Sequence, residues 1–435
     1  MINAFEQKNL FRCISFCIFI ILSVILYTKF DKYYNQNNFA KIILLFILTF
    51  NFLTGSLFLN IFKKNLIFTF YFFFILYSIN SLLVVFDLIN LPENQIKKIN
   101  KNIGKNFDQR KLIEVILEER KKGNNIFPYV VPREFILKNV SNKIILTPIP
   151  NQDYVSCNEY GFWKKIKTDR LGFNNKVTLS NFDTLLVGDS FAEGSCVNQD
   201  NEPANLFKNR YNVETYNIGI SGNGPLINLA LLHELKDKFN FRKIVWIFYD
   251  NDFYDLKIEY QNIQLKEYLL KNFDNNNYFL NLKYTNEYQK KYIEENLKSF
   301  KKNYSIKENL LELKPLLHIV NKILSFKKNR ENNYLIEKNL LIKIFEKVKT
   351  LYDNKEIYLV YIPETSCFKS RKIDCEKRAI ILKNLVKKKN FINFYETMKN
   401  SGQEYKKYYA LGIDNFHLSN YGYKYLVDTI YKKIN

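Results

Sequence analysis

Thr184-Leu185-Leu186-Val187-Gly188-Asp189-Ser190-Phe191 is a short apolar run that stops at a glycine and presents a serine just beyond it. A continuous run of this length reads as a strand buried on both faces, the kind found in parallel sheets. Working outward, β-rich runs recur at residues 213–219, 243–249, 357–363 and 391–395. Amphipathic stretches at 226–238, 334–352 and 421–434 lie between or after them. Strand alternating with helix predicts an α/β domain with a parallel sheet, where chemistry gathers beyond the carboxyl ends of the strands. Ser190 falls just past the first such end. Gly222, in Asn217-Ile218-Gly219-Ile220-Ser221-Gly222-Asn223, and Asn251, in Asn251-Asp252, fall past the next two.

A serine hydroxyl is a poor nucleophile at neutral pH and needs a base to take its proton. His417, in Asp414-Asn415-Phe416-His417, is the candidate, and Asp414 on the same loop is the expected partner of its second nitrogen. Leu418-Ser419-Asn420 then reads as the cap of the final helix, fixing that loop. His233 and His318 sit within helical patterns and read as packed or solvated. Each element alone has a plain alternative, as a turn, a loop start or a capped helix entrance. Their order along the chain and their places at strand ends favour the catalytic reading.

Ser190, Gly222, Asn251 and His417, in that order, resemble the four blocks of the SGNH (GDSL-type) hydrolase superfamily. Cys157-Asn158-Glu159-Tyr160-Gly161, Asp169-Arg170-Leu171-Gly172-Phe173-Asn174-Asn175 and Cys196-Val197 sharpen the likeness, towards membrane-anchored cell-envelope members, over residues 150 to 435. One departure is Tyr249-Asp250-Asn251-Asp252, where those relatives often carry Glu-Gly-Asn-Asp. The resemblance implies a three-layer α/β/α, flavodoxin-like domain and an oxyanion hole made by the Ser190 and Gly222 N–H groups and the Asn251 amide. It implies a serine esterase or O-acyltransferase working on acyl, chiefly acetyl, esters of envelope carbohydrate through an acyl-enzyme on Ser190. Water or sugar as acceptor stays open. The alternative is a non-catalytic protein of this fold that binds glycan or serves polysaccharide assembly. Asp189 and Asp252 read as structural neighbours.

Residues 1–90 read as an anchor, because segments 11–30, 42–62 and 66–86 each have the length that crosses a bilayer and hold no internal acidic residue. Asn51, Gly55 and Asn80 suit helix–helix contacts within it. Lys8, Arg12, Lys63 and Lys64 favour cytoplasmic ends, against Lys29, Lys32 and Lys41 in the first loop. An odd number of spans then puts the catalytic domain on the periplasmic, extracytoplasmic side of the inner membrane. Cys13 and Cys17 read as packing residues within the first span. Cys367 and Cys375 close a short loop, and positions matching Cys157 and Cys196 recur together in the relatives. Two disulfides, 157–196 and 367–375, are therefore expected, in keeping with an oxidising compartment.

Residues 91–150 read as a connector, with an amphipathic helix over 95–122. Residues 126–180 read as extended chain packed on the domain and carry no assigned chemistry. Residues 151–435 form the catalytic domain, interrupted by a helical insertion at about 255–333 that serves as a lid, a substrate wall or a surface elaboration. The net charge of +22 is spread among abundant Lys, Asn, Ile, Phe and Tyr and comes with no nucleic-acid motif. No metal-ligand spacing or nucleotide loop is present, so no metal and no cofactor is expected. The partners expected are an ester substrate, membrane lipid and envelope polysaccharide machinery.

Overall fold

A computed structural model describes residues 110–435 apart from 138–143, 271–272, 274–277, 298–329 and 415, with Asp108 and scattered helical positions between 14 and 82. Of residues 137 and 330–334 it describes the backbone only. The chain divides into two compact units, residues 1–98 with 303–328, and residues 99–302 with 329–435. In the first, Asn80 is fully buried while Ile67, Phe74, Ile75 and Leu82 are exposed. Among the described residues no helix is long and apolar enough to cross a membrane. The expected span 42–62 falls wholly, and 11–30 almost wholly, outside those residues, while 67, 71 and 74–82 of the expected span 66–86 are helical; the helix expected around 306–324, His318 and most of 95–110 also fall outside.

The second unit is built on five parallel strands: β4 (Thr184–Gly188), β5 (Thr215–Asn217), β6 (Lys243–Tyr249), β7 (Glu356–Ile362) and β8 (Phe391–Asn393), in the order β5-β4-β6-β7-β8. After their first residues, Thr184, Lys243 and Glu356, the inner strands run on without a charged residue because both faces are covered. Leu185, Val187, Ile244, Trp246, Phe248, Leu359 and Tyr361 pack on one face with α5 (Pro225–Leu235), α9 (Arg330–Leu351) and α10 (Lys372–Lys383). Leu186, Val245, Ile247, Val360 and Ile362 face the other side, towards α4 (Pro203–Tyr211), α11 (Phe394–Asn400) and α12 (Asn420–Ile434). A side-chain period of two thus feeds two cores.

The N-terminal part of this unit has more structure than extended chain. Helix α1 (Leu112–Lys121) leads into a small sheet of β1 (Ile126–Pro128), β2 (Asp153–Val155) and β3 (Lys165–Lys167), and α2 (Pro132–Leu137) lies between its first two strands. From the insertion the described elements are α6 (Asp252–Glu259), α7 (Ile263–Glu267) and α8 (Leu282–Asn296). The remaining helix, α3 (Ser190–Glu193), directly follows β4.

In the main sheet the first strand lies between the second and the third, so the connections leave β4 and β6 in opposite directions. The crevice of an open parallel sheet forms at such a reversal, beyond the carboxyl ends. Ser190 follows β4 and Asn251 follows β6, so both flank it. Gly188 makes the approach possible: it pairs with Ile247, has φ +146°, and a Cβ there would lie 2.4 Å from the Ile247 carbonyl oxygen.

Gly188→Ala should therefore cost about 3 kcal/mol or more, combining forced backbone with overpacking. Gly123→Ala, at φ +88° with nothing within 4 Å of the new Cβ, should cost about 1 kcal/mol. Urea unfolding midpoints of the two variants check the difference; equal losses would show that space at β4 is not limiting.

Candidate active site

Ser190 is the first residue of α3 and 9% exposed. Its turn is held by Asp189, whose Oδ1 accepts from the Phe191 N–H at 2.9 Å, an N-cap on a helix too short to form without one. Gly194 in the left-handed region ends α3 after one turn. Ser190 Oγ donates to Asp189 Oδ2 at 3.4 Å and makes no hydrogen bond to His417. That differs from the expected serine–histidine bond. A hydroxyl is a free rotor, and such bonds commonly close only when substrate is bound.

Three potential donors beyond the strand ends are left without acceptors. Neither the Ser190 nor the Gly222 N–H has a hydrogen-bond acceptor among the described residues, and the Asn251 side chain is likewise unpartnered, its Oδ1 buried. Gly222 has φ +80°, while a Cβ there would meet Val131 and Arg133 only at ordinary contact distance, 3.5 and 3.7 Å. Backbone conformation, rather than clearance for a substrate oxygen, accounts for this glycine.

The expected partner of His417 is corrected. Asp414 pairs with Lys369 Nζ at 2.6 Å, and the carboxylate on the imidazole is that of Glu159. Glu159 Oε1 lies 2.9 Å from His417 Nδ1, and Oε2 accepts the His417 backbone N–H, also at 2.9 Å. The physical reason is the path of the chain: a bridge between Tyr409 and Leu418, the Ala410 N–H on the His417 carbonyl at 2.8 Å and the Ser419 cap of α12 fix the backbone at His417. Asp414, in the preceding turn, meets Lys369 instead. Glu159 was missed because residues 126–180 were given no chemistry, although Cys157, two positions away, pointed at the nucleophile loop.

Cys157 is bonded to Cys196 with Cα atoms 5.4 Å apart, and Cys367 to Cys375 with Cα atoms 5.8 Å apart. Cys196 Sγ lies 3.5 Å from His417 Nδ1. Two trios, Glu159-Cys196-His417 and Asp250-Cys367-Cys375, bring potential metal-ligand atoms within 4.8 Å of one another. In both, the sulfurs are tied up in disulfides and offer no thiolate.

The supporting shell is dense in buried carboxylates. Glu193, on the same helix as Ser190, accepts from Ser195 Oγ at 2.8 Å and from the hydroxyls of Tyr129 and Ser221, so it ties α3 to the loop bearing Gly222. Arg133 bonds Asp255 on α6 at 2.7 Å and the Gly222 carbonyl at 3.3 Å, linking two of the oxyanion donors' supports. Asp250, in place of the relatives' glycine, is fully buried; its carboxylate accepts from Tyr361 Oη at 2.6 Å and Arg378 at 2.7 Å and pairs with Arg371 at 3.1 Å. The turn before Asn251 is thus anchored by charge and keeps negative φ. Asp252 Oδ2 accepts the Tyr249 N–H at 3.1 Å. Asp169 gathers the N–H groups of Leu171 and Phe173 and the Tyr216 hydroxyl, and Asn175 pairs with Asn217 at the end of β5.

Burial pushes the Asp189 carboxyl up to about 7, against the Phe191 N–H and the His417 charge, which pull it down. Burial also lifts Asp252 well above the ordinary range, helped by Asp189, Asp255 and Glu259. For His417 burial acts downward, but Glu159, Asp189 and Glu193 outweigh it, so its pKa lies above the usual 6.5. The imidazole ring rests on Phe191 at 5.2 Å, and Phe191 stacks on Tyr249 at 3.9 Å. One aromatic ring therefore spaces the base loop from the end of β6. His233 is buried, with Nε2 3.0 Å from the Phe273 carbonyl, away from this chemistry.

No protein-family model and no curated protein matches the sequence. Among solved structures, TesA is similar at 13% identity with a TM-score of 0.31, over 58% of this chain and 98% of its own.

The His417 assignment is testable without substrate. Its NMR titration midpoint should lie above 6.5; Glu159→Gln removes the facing charge and should lower it, while Asp414→Asn should leave it unmoved. A midpoint that follows Asp414 and ignores Glu159 would return the aspartate to the imidazole.

Proposed function

We propose that this protein is an SGNH-type serine hydrolase or O-acyltransferase that cleaves carboxylic esters through an acyl-enzyme on Ser190. The observation that supports the reading is a carboxylate-held His417 packed on Phe191, the residue after Ser190 at the switch point of a parallel sheet, together with Ser190 and Gly222 N–H groups and an Asn251 side chain without partners among the described residues. In this mechanism His417 Nε2 takes the Ser190 proton as Oγ attacks the ester carbonyl. Glu159 holds the Nδ1 tautomer and stabilises the imidazolium. The Ser190 and Gly222 N–H groups and the Asn251 amide receive the oxyanion. Imidazolium then gives its proton to the leaving alcohol. Water or an acceptor hydroxyl, deprotonated by the same histidine, releases the acyl group.

The substrate class we propose is acylated, chiefly acetylated, envelope carbohydrate, with the first unit as a membrane anchor and the catalytic unit outside the cytoplasm. Support comes from the resemblance of the sequence blocks and from the two disulfides. The buried Asn80 among exposed apolar side chains, an arrangement suited to lipid, adds to it. A second reading, a non-catalytic glycan-binding protein, takes its support from the Ser190–Asp189 bond at 3.4 Å in place of one to His417.

Purified protein assayed on p-nitrophenyl acetate and labelled with a fluorophosphonate separates the two. Labelling at Ser190, with activity abolished in Ser190→Ala, is the expected result. Glu159→Ala should lower kcat/KM by up to about 10⁴-fold, Asn251→Ala by about 10²- to 10³-fold, and Asp414→Ala by little. Because His417 must be neutral to act as base, the rate should rise with pH through a limb above 6.5, and Glu159→Gln should move that limb to lower pH while lowering the plateau. No labelling and no turnover in the folded wild type would leave the binding protein.

A further inference from the structure

Glu159 lies in residues 156–164, between β2 and β3, a segment with neither helix nor strand. Backbone hydrogen bonds close its ends, from the Ser156 N–H to the Lys164 carbonyl at 2.9 Å and from the Lys164 N–H to the Cys157 carbonyl at 3.0 Å, and the loop between them carries the carboxylate that meets the His417 backbone N–H and ring Nδ1, each at 2.9 Å. Noncovalent ties hold the two flanks of the segment. The Asn158 amide donates to the Asp108 carbonyl at 2.8 Å, Tyr160 Oη accepts the Asn420 N–H at 3.1 Å, and buried Lys164 reaches the Gly194 carbonyl at 2.7 Å and Glu202 at 2.8 Å.

The tie nearest to Glu159 on the nucleophile side is covalent. Cys157, two residues before it, is bonded to Cys196, six residues after Ser190 and itself at φ +64°. Cys196 Sγ also sits against His417 Nδ1 at 3.5 Å, so the bond lies in the same small space as the pair it supports. We propose that the Cys157–Cys196 disulfide is the positioning element that keeps Glu159 on His417, and that full activity requires it oxidised. This inference rests on the acyl-transfer reading above.

The chemistry balances as an ordinary thiol–disulfide exchange. A dithiol supplies two electrons and two protons; the Sγ–Sγ bond breaks to give two thiols, and the dithiol closes to its own disulfide. Residues 156–164 then keep their backbone and side-chain hydrogen bonds and the Lys164 ion pair, none of which bonds the chain to Cys196. A displacement of about 1 Å in such a group costs about 10²-fold in rate.

The test compares wild type with Cys157→Ser/Cys196→Ser, each in a Cys367→Ser/Cys375→Ser background so that one disulfide is in play, with folding checked by circular dichroism. If that background does not fold, dithiothreitol titration of the wild type takes its place, with peptide mapping to assign which bond opens. Two quantities are read: hydrolysis of p-nitrophenyl acetate, and the low-field proton resonance of the hydrogen bond between His417 Nδ1 and Glu159. Loss of the bond should lower kcat about 10²-fold with little change in KM, and should remove the resonance. In a Glu159→Ala protein the same loss should change kcat less than about 2-fold, since the group being positioned is gone. Undiminished kcat and an intact resonance after loss of the bond would overturn the proposal. A protein with no esterase activity in any form overturns the acyl-transfer reading instead, and the resonance still decides whether the disulfide holds the pair.

Discussion

The close approach of β4 to β6 is the constraint on which the site rests. Gly188 leaves no room for a side chain against the Ile247 carbonyl, and this lets the chain turn at once into α3 with Ser190 at its first position. The same pairing sets the height of Asn251 beyond β6. Because the strands are parallel and buried on both faces, their carboxyl ends are the places where polar groups can leave the core with their chemistry intact. The proposed nucleophile and oxyanion donors thus take their places from sheet geometry, with short hydrogen-bonded turns refining it.

The sheet does not supply the carboxylate on His417 or the braces of the loop that bears Gly222. Those come from the N-terminal segment: Tyr129 on Glu193, Arg133 between Asp255 and Gly222, and Glu159 on His417. Residues that look like extended wrapping are therefore half of the site. They reach it from a separate three-stranded sheet, which makes their placement depend on long-range ties such as the buried Lys164–Glu202 pair and the Cys157–Cys196 bond. Breaking a buried pair of that kind leaves an uncompensated charge, so the interface between the two sheets tolerates little slippage.

This division explains what could be read in the sequence. Five parallel strands were legible because continuous apolar runs record burial on both faces, and the observed bounds of β4 and β6 coincide with the runs at 184–188 and 243–249. The positions of Ser190, Gly222, Asn251 and His417 at strand ends or before a capped helix were legible from the same runs and from the Ser419 cap. Asp414 was chosen by proximity in sequence, which measures reach along the chain and ignores the direction of the backbone. Its neighbour in space, Lys369, belongs to a loop that no local pattern connects to it. Glu159 is contacted across 258 residues, and only the cysteine two positions away carried any trace of that contact.

The charge arrangement around the base follows from the same architecture. Asp189, Glu193, Asp252 and Glu259 are all buried near the turns that build the site, and the carboxyls of Asp189, Asp252 and Glu259 are pushed upward by burial. Glu259 takes three N–H groups at the start of α5, which offsets part of that cost. Arg133 pairs with a further buried acid, Asp255. Glu159, with Asp189 and Glu193, outweighs the burial of His417 and favours the imidazolium over the neutral ring. On the proposed acyl-transfer reading this preference lowers the cost of taking a proton from Ser190. On the same reading the oxyanion depends on the Ser190 and Gly222 N–H groups and the Asn251 amide, and Glu193 and Arg133 brace the loop that bears Gly222.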